Sequence, residues 1–371
     1  MTLGLDGCAT PGAIVRLALA AMGTRFELVL VGPREPELLA AGEAALEEIK
    51  WWHNRLSRFE RDSDVAFIAR EAHLRTASNP IALDPDLFDL LAMCEQARAR
   101  CGGVFDVRLG DAMDRWIAGE SLPREHAARP MAEIVLDPIR RAIHATGGVP
   151  LRLDLGGVAK GFALDRAVEV LRSAGINNAI IHAGTSSIIA IGPGQGGNGW
   201  KVRFDGGAER ADGSATVDSL NDASSEAASL DVTLHDEAMS VSSPSGRTVA
   251  SPDDTITPSG HILDPRSGLP APMGRTVAVL SPLSPTSPTA AANCEIWSTS
   301  LIVAPNLLTQ LPSLMTAIIR DQSDSDWSVH AAAESGPQRS RARSFPCSVQ
   351  TLSTLTCPTH SAAEFAALET L

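Results

Sequence analysis

Apolar and polar positions alternate from Thr24 to Val31 (TRFELVLV), the period of a half-buried strand, just after a Met22-Gly23-Thr24 turn. The pattern then changes to helical spacing. Between Glu37 and Trp52, the residues Leu38, Leu39, Ala45, Leu46, Ile49 and Trp52 fall on or near one face, which Gly42 shares. A polar break in LSRFERDSDVAFIAR gives way to renewed helical character. Asp84 to Arg100 predicts a second helix, with Asp84 as N-cap and Pro85 at its first position. Cys101-Gly102-Gly103 ends it, and short strands alternating with turns are expected up to Leu153.

A strand, glycine turn and helix are predicted next, starting from LDLGGVAKG at Leu153. The helix from Gly161 to Ala174 buries Phe162, Leu164, Ala167, Val168 and Leu171, and two β-rich runs fill Asn177 to Ile191. Residues 206–227 read as a loop or insertion, and residues 281–292 as a Pro/Ser-rich connector. A short helix is expected to start near Asn293 and run through Glu295, Thr299 and Ile302. Periodicity is lost after about His330. No internal repeat is visible, and the elements do not alternate as regular βαβ units, which favours an α+β fold. The domain reading is a lead segment at 1–20, one domain at 21–330 and a divergent or disordered tail at 331–371.

Composition narrows the function classes. The 371 residues are 44% hydrophobic, as in a soluble globular protein. A net charge of −13 argues against a general nucleic-acid or anionic-membrane surface. No apolar run reaches the roughly 18–20 residues of a membrane span. The N-terminus lacks a basic start and a solid apolar stretch, so it does not read as a signal peptide. The expectation is a cytoplasmic chain, with membrane association or export left open. Cys8, Cys94, Cys101, Cys294, Cys347 and Cys357 form no CxxC or zinc spacing, and free thiols are expected. There is no tyrosine.

Several segments carry candidate chemistry. The Leu153–Gly161 turn exposes backbone amides and a helix N-terminus, which suits a phosphate-bearing ligand. Its spacing fits neither GxGxxG nor a P-loop. Asp154 closes an apolar run, and a partly buried carboxylate needs donors or a metal. Glu295 and Thr299 lie four residues apart on one helix face; these hard oxygen donors suit Mg²⁺, though the pair equally describes an ordinary helix face. His261 to Pro270 combines a base, an acid, a phosphate-seeking cation and a rigid turn. Its bland alternative is a turn begun by Asp264 with Arg266 paired on the surface. Phe105-Asp106-Val107 sets an acid between apolar residues, as either a strand-end functional acid or a simple surface position would. Lys160, near a helix N-terminus where an unpartnered cation is mildly disfavoured, reads either as meeting a phosphate or an acid or as a solvated lysine.

In this order the segments resemble the ApbE family of FAD:protein FMN transferases, over roughly residues 20–305. The matching pieces are Met22-Gly23-Thr24; Ser57-Arg58-Phe59 with Asp62-Ser63; Gly103-Val104-Phe105-Asp106; Asp154 to Gly161 (DLGGVAKG); His261 to Pro270; and Cys294 to Thr299. The resemblance implies an ApbE-like, T-fold-related architecture of mixed sheet and helix. It implies that FMN is transferred from FAD to a Thr or Ser hydroxyl of an acceptor protein, such as a redox-complex subunit, with release of AMP. Mg²⁺ would be held by Glu295, Thr299 and the Gly157 carbonyl. Met22, Phe59, Phe105, Asp106, Val107, Asp154, Lys160, Ser242 and Ile262 would line the FAD site, and His261 would be the base. The chain departs from the common family pattern at Glu295 (usually Asp), at Phe59 (often Tyr) and at Gly184-Thr185-Ser186-Ser187 (often Gly-Gly-Asp). The alternatives are a non-catalytic FAD-binding protein and a metal-dependent FAD pyrophosphatase giving FMN and AMP.

Overall fold

The computed structural model describes residues 12–119, 131–205, 229–244, 248–249, 259–284, 288–321, 324 and 326–331. The readings of residues 206–227 and of the tail beyond 331 lie outside the described residues. Strands β1 (Ala13–Ala21) and β2 (Thr24–Gly32) form a hairpin, so the segment preceding residue 21 supplies an edge strand from Ala13 onward. Helix α1 (Glu35–Leu56) extends past both ends of the predicted span. It packs on the hairpin at Gly42, where a Cβ would come within 2.9 Å of Leu30 Cδ1. Glycine on the apolar face therefore sets how closely helix and strands approach.

Helix α2 (Asp64–Glu71) starts at Ser63, whose hydroxyl accepts from the Ala66 amide. Strand β3 (Ile81–Ala82) precedes helix α3 (Pro85–Arg100), which Asp84 caps by accepting from the Asp86 and Leu87 amides. Gly102 and Gly103 then turn the chain with positive φ. Strands and turns were expected here, but helix α4 (Gly110–Ile117) comes first. Met113, Trp116 and Ile117 do fall at i, i+3 and i+4, but eight residues are too short a window for that spacing to decide against strands and turns. Strands β4 (Glu133–Asp137) and β5 (Ala142–Thr146) join β3 in a small antiparallel sheet.

The run before the glycine turn is not a strand, contrary to expectation. Residues 151–155 lie beside residues 107–110 through two backbone bonds only, Asp154 N to Val107 O and Gly110 N to Arg152 O. Two bonds fix a path without building a ladder. Helix α5 (Ala159–Ser173) follows, and all five residues predicted to be buried are buried. Strands β6 (Ala179–Ala183) and β7 (Ser187–Ile191) match the two β-rich runs. Strands β8 (Trp200–Asp205) and β9 (Ser229–Leu234) pair with each other, and β10 (Glu237–Ser242) returns to the main sheet.

Short strands β11 (Thr248–Val249), β12 (Ser259–Gly260), β13 (Leu263–Asp264) and β14 (Leu269–Pro270) make two small hairpins. Strand β15 (Arg275–Pro282), helix α6 (Ala290–Val303), and strands β16 (Thr316–Asp321) and β17 (Ser328–Ala331) complete the described chain. The main sheet is antiparallel with order β1-β2-β6-β7-β10-β15-β16-β17. Helices α1, α5 and α6 cover one face over the larger core. Residues of β8 and β9, including Trp200, Val232 and Leu234, pack on Ile188, Met239 and Ile318 at the other. This is the α+β mixture that the sequence predicts.

Helix α6 starts three residues earlier than expected. The Asp165 carboxylate, from α5, accepts from the Ala291 and Ala292 amides at 3.0 and 2.9 Å. A cap supplied by another helix lets apolar alanines open α6. Burial raises the Asp165 carboxyl to about 8; the two amides and Arg166 oppose that shift, and Glu295 adds to it. The helices are close because Gly161 has no side chain: a Cβ there would lie 2.5 Å from the Ala291 carbonyl oxygen.

Candidate functional site

Three segments meet beside α6: the Gly156-Gly157 turn, the middle of α6 from Glu295 to Thr299, and the strand ends at Ser187 and Ser242. A Cβ on Gly157 would stand 3.4 Å from Phe105 Cε2 and 3.9 Å from Thr299 Oγ1. The missing side chain thus leaves an aromatic ring and a hydroxyl facing bare backbone. The Ser242 hydroxyl lies 2.8 Å from Ser298 Oγ and 3.3 Å from Thr299 Oγ1, and Ser298 reaches Ser240 Oγ at 3.3 Å. Hydroxyls of β10 and α6 therefore form a continuous chain.

Glu295 is only 3% exposed. Its Oε1 accepts from the Ser187 hydroxyl and pairs with Lys160 Nζ at 3.3 Å. Its Oε2 is buried with no hydrogen-bond partner among the described residues. Of the readings open for Lys160, the acid partner is the one seen: it pairs with Glu295 and more weakly with the Gly156 carbonyl at 3.5 Å. Among the described residues, no group of three or more His, Cys, Asp or Glu side chains gathers as a metal site. A cation here would rely on one carboxylate with carbonyl and hydroxyl oxygens. The donors at Glu295, Thr299 and Gly157 are hard oxygens, the type Mg²⁺ prefers, and the orphaned Oε2 is the kind of atom a cation satisfies. These residues fit the ion.

Asp154 shapes the turn itself. Its Oδ1 accepts from the Gly156 amide at 2.8 Å, and its Oδ2 pairs with Arg58 Nε at 3.0 Å. Arg58 also bonds the Gly110 carbonyl and Asp114, and its guanidinium lies over the Phe59 ring at 4.6 Å. Phe59 is 75% exposed, so it presents an open face for stacking. Arg58, Phe59, Asp114 and Arg152 line a cavity of about 50 Å³.

Other expected residues are placed differently. Both carboxylate oxygens of Asp106 are taken by the buried Arg108 guanidinium, which also pairs with Glu133. Asp106 therefore holds its own segment rather than presenting a bare charge. Val107 is buried and contributes its carbonyl to Asp154 N. Met22 turns the β1–β2 hairpin at φ +50°, and its amide donates to His53 Nδ1 at 3.2 Å. His261 is half-buried between β12 and β13, and Ile262 beside it is buried and accepts from the Ala271 amide. Arg266 forks onto Asp264 at 2.9 and 2.8 Å, the bland alternative weighed for that segment. Burial acts to raise the Asp264 carboxyl, but Arg266 prevails and holds it below its ordinary value.

Sequence reasoning did not single out Ser187, Asp165, Arg58 or Arg108. Arg58 sits inside the Ser57-Arg58-Phe59 segment. Asp165 falls three residues after Phe162 and three before Val168, an acid on an apolar stripe, which was a readable signal. Ser187 opens a β-run, and the one signal near it is that Gly184-Thr185-Ser186-Ser187 stands where the family often has Gly-Gly-Asp. Cys94, Cys101 and Cys294 are free and buried, as expected of thiols outside a disulfide framework. Burial raises all three thiols, with Cys94 and Cys294 the most enclosed. The described residues contain no helix long and apolar enough to cross a membrane.

The ApbE family model matches residues 22–315. The FAD:protein FMN transferase of Haemophilus influenzae is 24% identical over 221 residues, covering 55% of this chain and 62% of that protein. The FAD:protein FMN transferase of Treponema pallidum is 28% identical over 170 residues, covering 40% and 44%. The matched stretch thus spans less than two thirds of either relative. Among solved structures, the flavin transferase ApbE from Vibrio cholerae superposes with a TM-score of 0.63 at 18% identity, covering 87% of this chain and 98% of that one. The ApbE protein of Thermotoga maritima gives 0.64 at 21% identity, covering 86% and 97%. These structures share the fold.

Proposed function

The chain belongs to the ApbE family, and from that premise we propose that it transfers FMN from FAD to a Thr or Ser hydroxyl of an acceptor protein, releasing AMP. The observation that carries the reading is the approach of the Gly157 turn to Thr299 and of Lys160 to Glu295, whose second carboxylate oxygen is buried with no hydrogen-bond partner among the described residues. Glu295, Thr299 and the Gly157 carbonyl would hold Mg²⁺. When bound, the ion neutralises pyrophosphate charge and the charge that develops on the leaving phosphate oxygen.

The protein's own groups do the rest. Asp154, locked by Arg58, holds the Gly156-Gly157 turn in the shape that admits a phosphate-bearing ligand. Phe59 offers a ring face to flat ligand groups, Phe105 backs the Gly157 turn from the core, and Met22 adds apolar contact, with Ile262 buried behind the site. Ser242 lies within the hydroxyl chain that orients Thr299. Lys160 balances the Glu295 charge and is close enough to the turn to meet a phosphate. His261 takes the proton of the acceptor hydroxyl as that oxygen attacks the FMN phosphorus and the bond to the AMP phosphate breaks. The proton stays on the imidazole and the electron pair leaves with AMP. The acceptor would be a protein of the redox-complex type.

The test is a stoichiometry. Protein, FAD, Mg²⁺ and an acceptor subunit are incubated, and AMP, free FMN and covalently bound flavin are counted. Equal AMP and bound flavin is the expected result. AMP matched by free FMN would instead identify a pyrophosphatase, and bound FAD with neither product a flavin carrier.

A further inference from the structure

Glu295 carries two oxygens, and a carboxylate can accept about four hydrogen bonds. The described donors are divided unequally. Ser187, on β7, and Lys160, in the first turn of α5, both approach Oε1, and none serves Oε2 although it is buried. Ser187 is itself fully enclosed, so its hydroxyl cannot exchange this bond for water. Two donors on two different elements fix the carboxylate from two directions. A glutamate has one more torsion than an aspartate, and that torsion is what such a grip removes.

We propose that Ser187 is a positioning residue for Glu295: by holding Oε1, it keeps Oε2 as the oxygen offered to a hard divalent cation. This rests on the metal-assisted reading above. Ser187 does not touch substrate or ion. It acts only through the carboxylate, like the outer partners that orient ligands in other metal sites. An aspartate at 295 would be one methylene shorter and would not reach Ser187, so the two positions are energetically coupled.

The test is a double-mutant cycle read by Mn²⁺ binding, with free Mn²⁺ followed by electron paramagnetic resonance on the full chain without FAD. Ser187→Ala is expected to weaken Mn²⁺ binding by about ten-fold or more in the Glu295 protein. In the Glu295→Asp protein, the same change should alter binding by less than about two-fold. Unfolding temperatures in chelator report whether each variant folds. If Ser187→Ala does not fold, Ser187→Cys, of similar size but a weak donor, takes its place. Unchanged or tighter Mn²⁺ binding by the folded Ser187 variant overturns the inference while leaving the metal reading standing. An equal loss in both backgrounds also overturns it, because the coupling would be absent. A wild-type protein that binds no Mn²⁺ overturns both.

Discussion

Gly161→Ala sets two physical effects against each other, and the structure says which one wins. Alanine is favoured over glycine inside a helix by about 0.5–1 kcal/mol, so propensity alone forecasts a more stable protein. The Cβ it adds, however, would sit 2.5 Å from the Ala291 oxygen, 2.6 Å from its carbonyl carbon and 2.7 Å from the Ala292 nitrogen. All three atoms are backbone, so no side chain can swing aside. Restoring ordinary contact requires α5 and α6 to separate by roughly 1 Å, an overpacking that costs about 1–3 kcal/mol. Asp165 lies one turn further along the same face and bonds the same two residues at 3.0 and 2.9 Å. A 1 Å separation carries those bonds out of range and leaves a buried carboxyl without donors, costing about 1–3 kcal/mol more. The balance is a net loss of about 1–5 kcal/mol, or a Tm lower by roughly 2–10 °C. Thermal unfolding followed by tryptophan fluorescence measures it. A Tm equal to or above that of the unaltered chain would refute the close-packing argument.

Further expectations follow from the same contacts. Because burial lifts the Asp165 carboxyl to about 8, the native chain retains a proton between about pH 4 and 8 that the unfolded chain has released, so this residue's contribution falls as pH rises through that window. Asp165→Asn removes the titration, and the stability of the unaltered chain relative to it should decline from pH 5 to 8 and level off above, as urea unfolding would show. Arg58→Met strips Asp154 of its guanidinium, and steady-state kinetics should show KM for FAD rising about ten-fold with a smaller change in kcat. Lys160→Met leaves the Glu295 carboxylate with only the neutral Ser187 hydroxyl beside it, and kcat/KM for flavin transfer should fall by about 100-fold.

Much of this site was legible because its parts are short, local and polar. Asp84 and Pro85 announce the start of α3, and the Gly102-Gly103 pair its end. Glu295 and Thr299 share a helix face by spacing alone, and the apolar stripe of α5 fixes which side is buried. What stayed hidden depends on tertiary distance. The start of α6 is set by Asp165, 126 residues away from Ala291, and so cannot be read from the Pro/Ser-rich stretch before it. The Ser187–Glu295 bond spans 108 residues. Asp106 reads as a strand-end functional acid or a surface position, and only folding brings Arg108 around to occupy it from two positions along. Likewise the apolar run ending at Asp154 has strand character but only two backbone partners, so composition outran pairing.

The most direct measurement is flavin fluorescence of an acceptor subunit on a denaturing gel, after incubation with this protein, FAD and Mg²⁺. A covalently fluorescent acceptor band that disappears with chelator is the expected result. His261→Ala should show the same loss, by a factor of about 100 to 10,000 in rate, with FAD binding retained. An acceptor that stays dark while FAD is bound, or a band that persists undiminished in His261→Ala and in chelator, would contradict flavin transfer by this site.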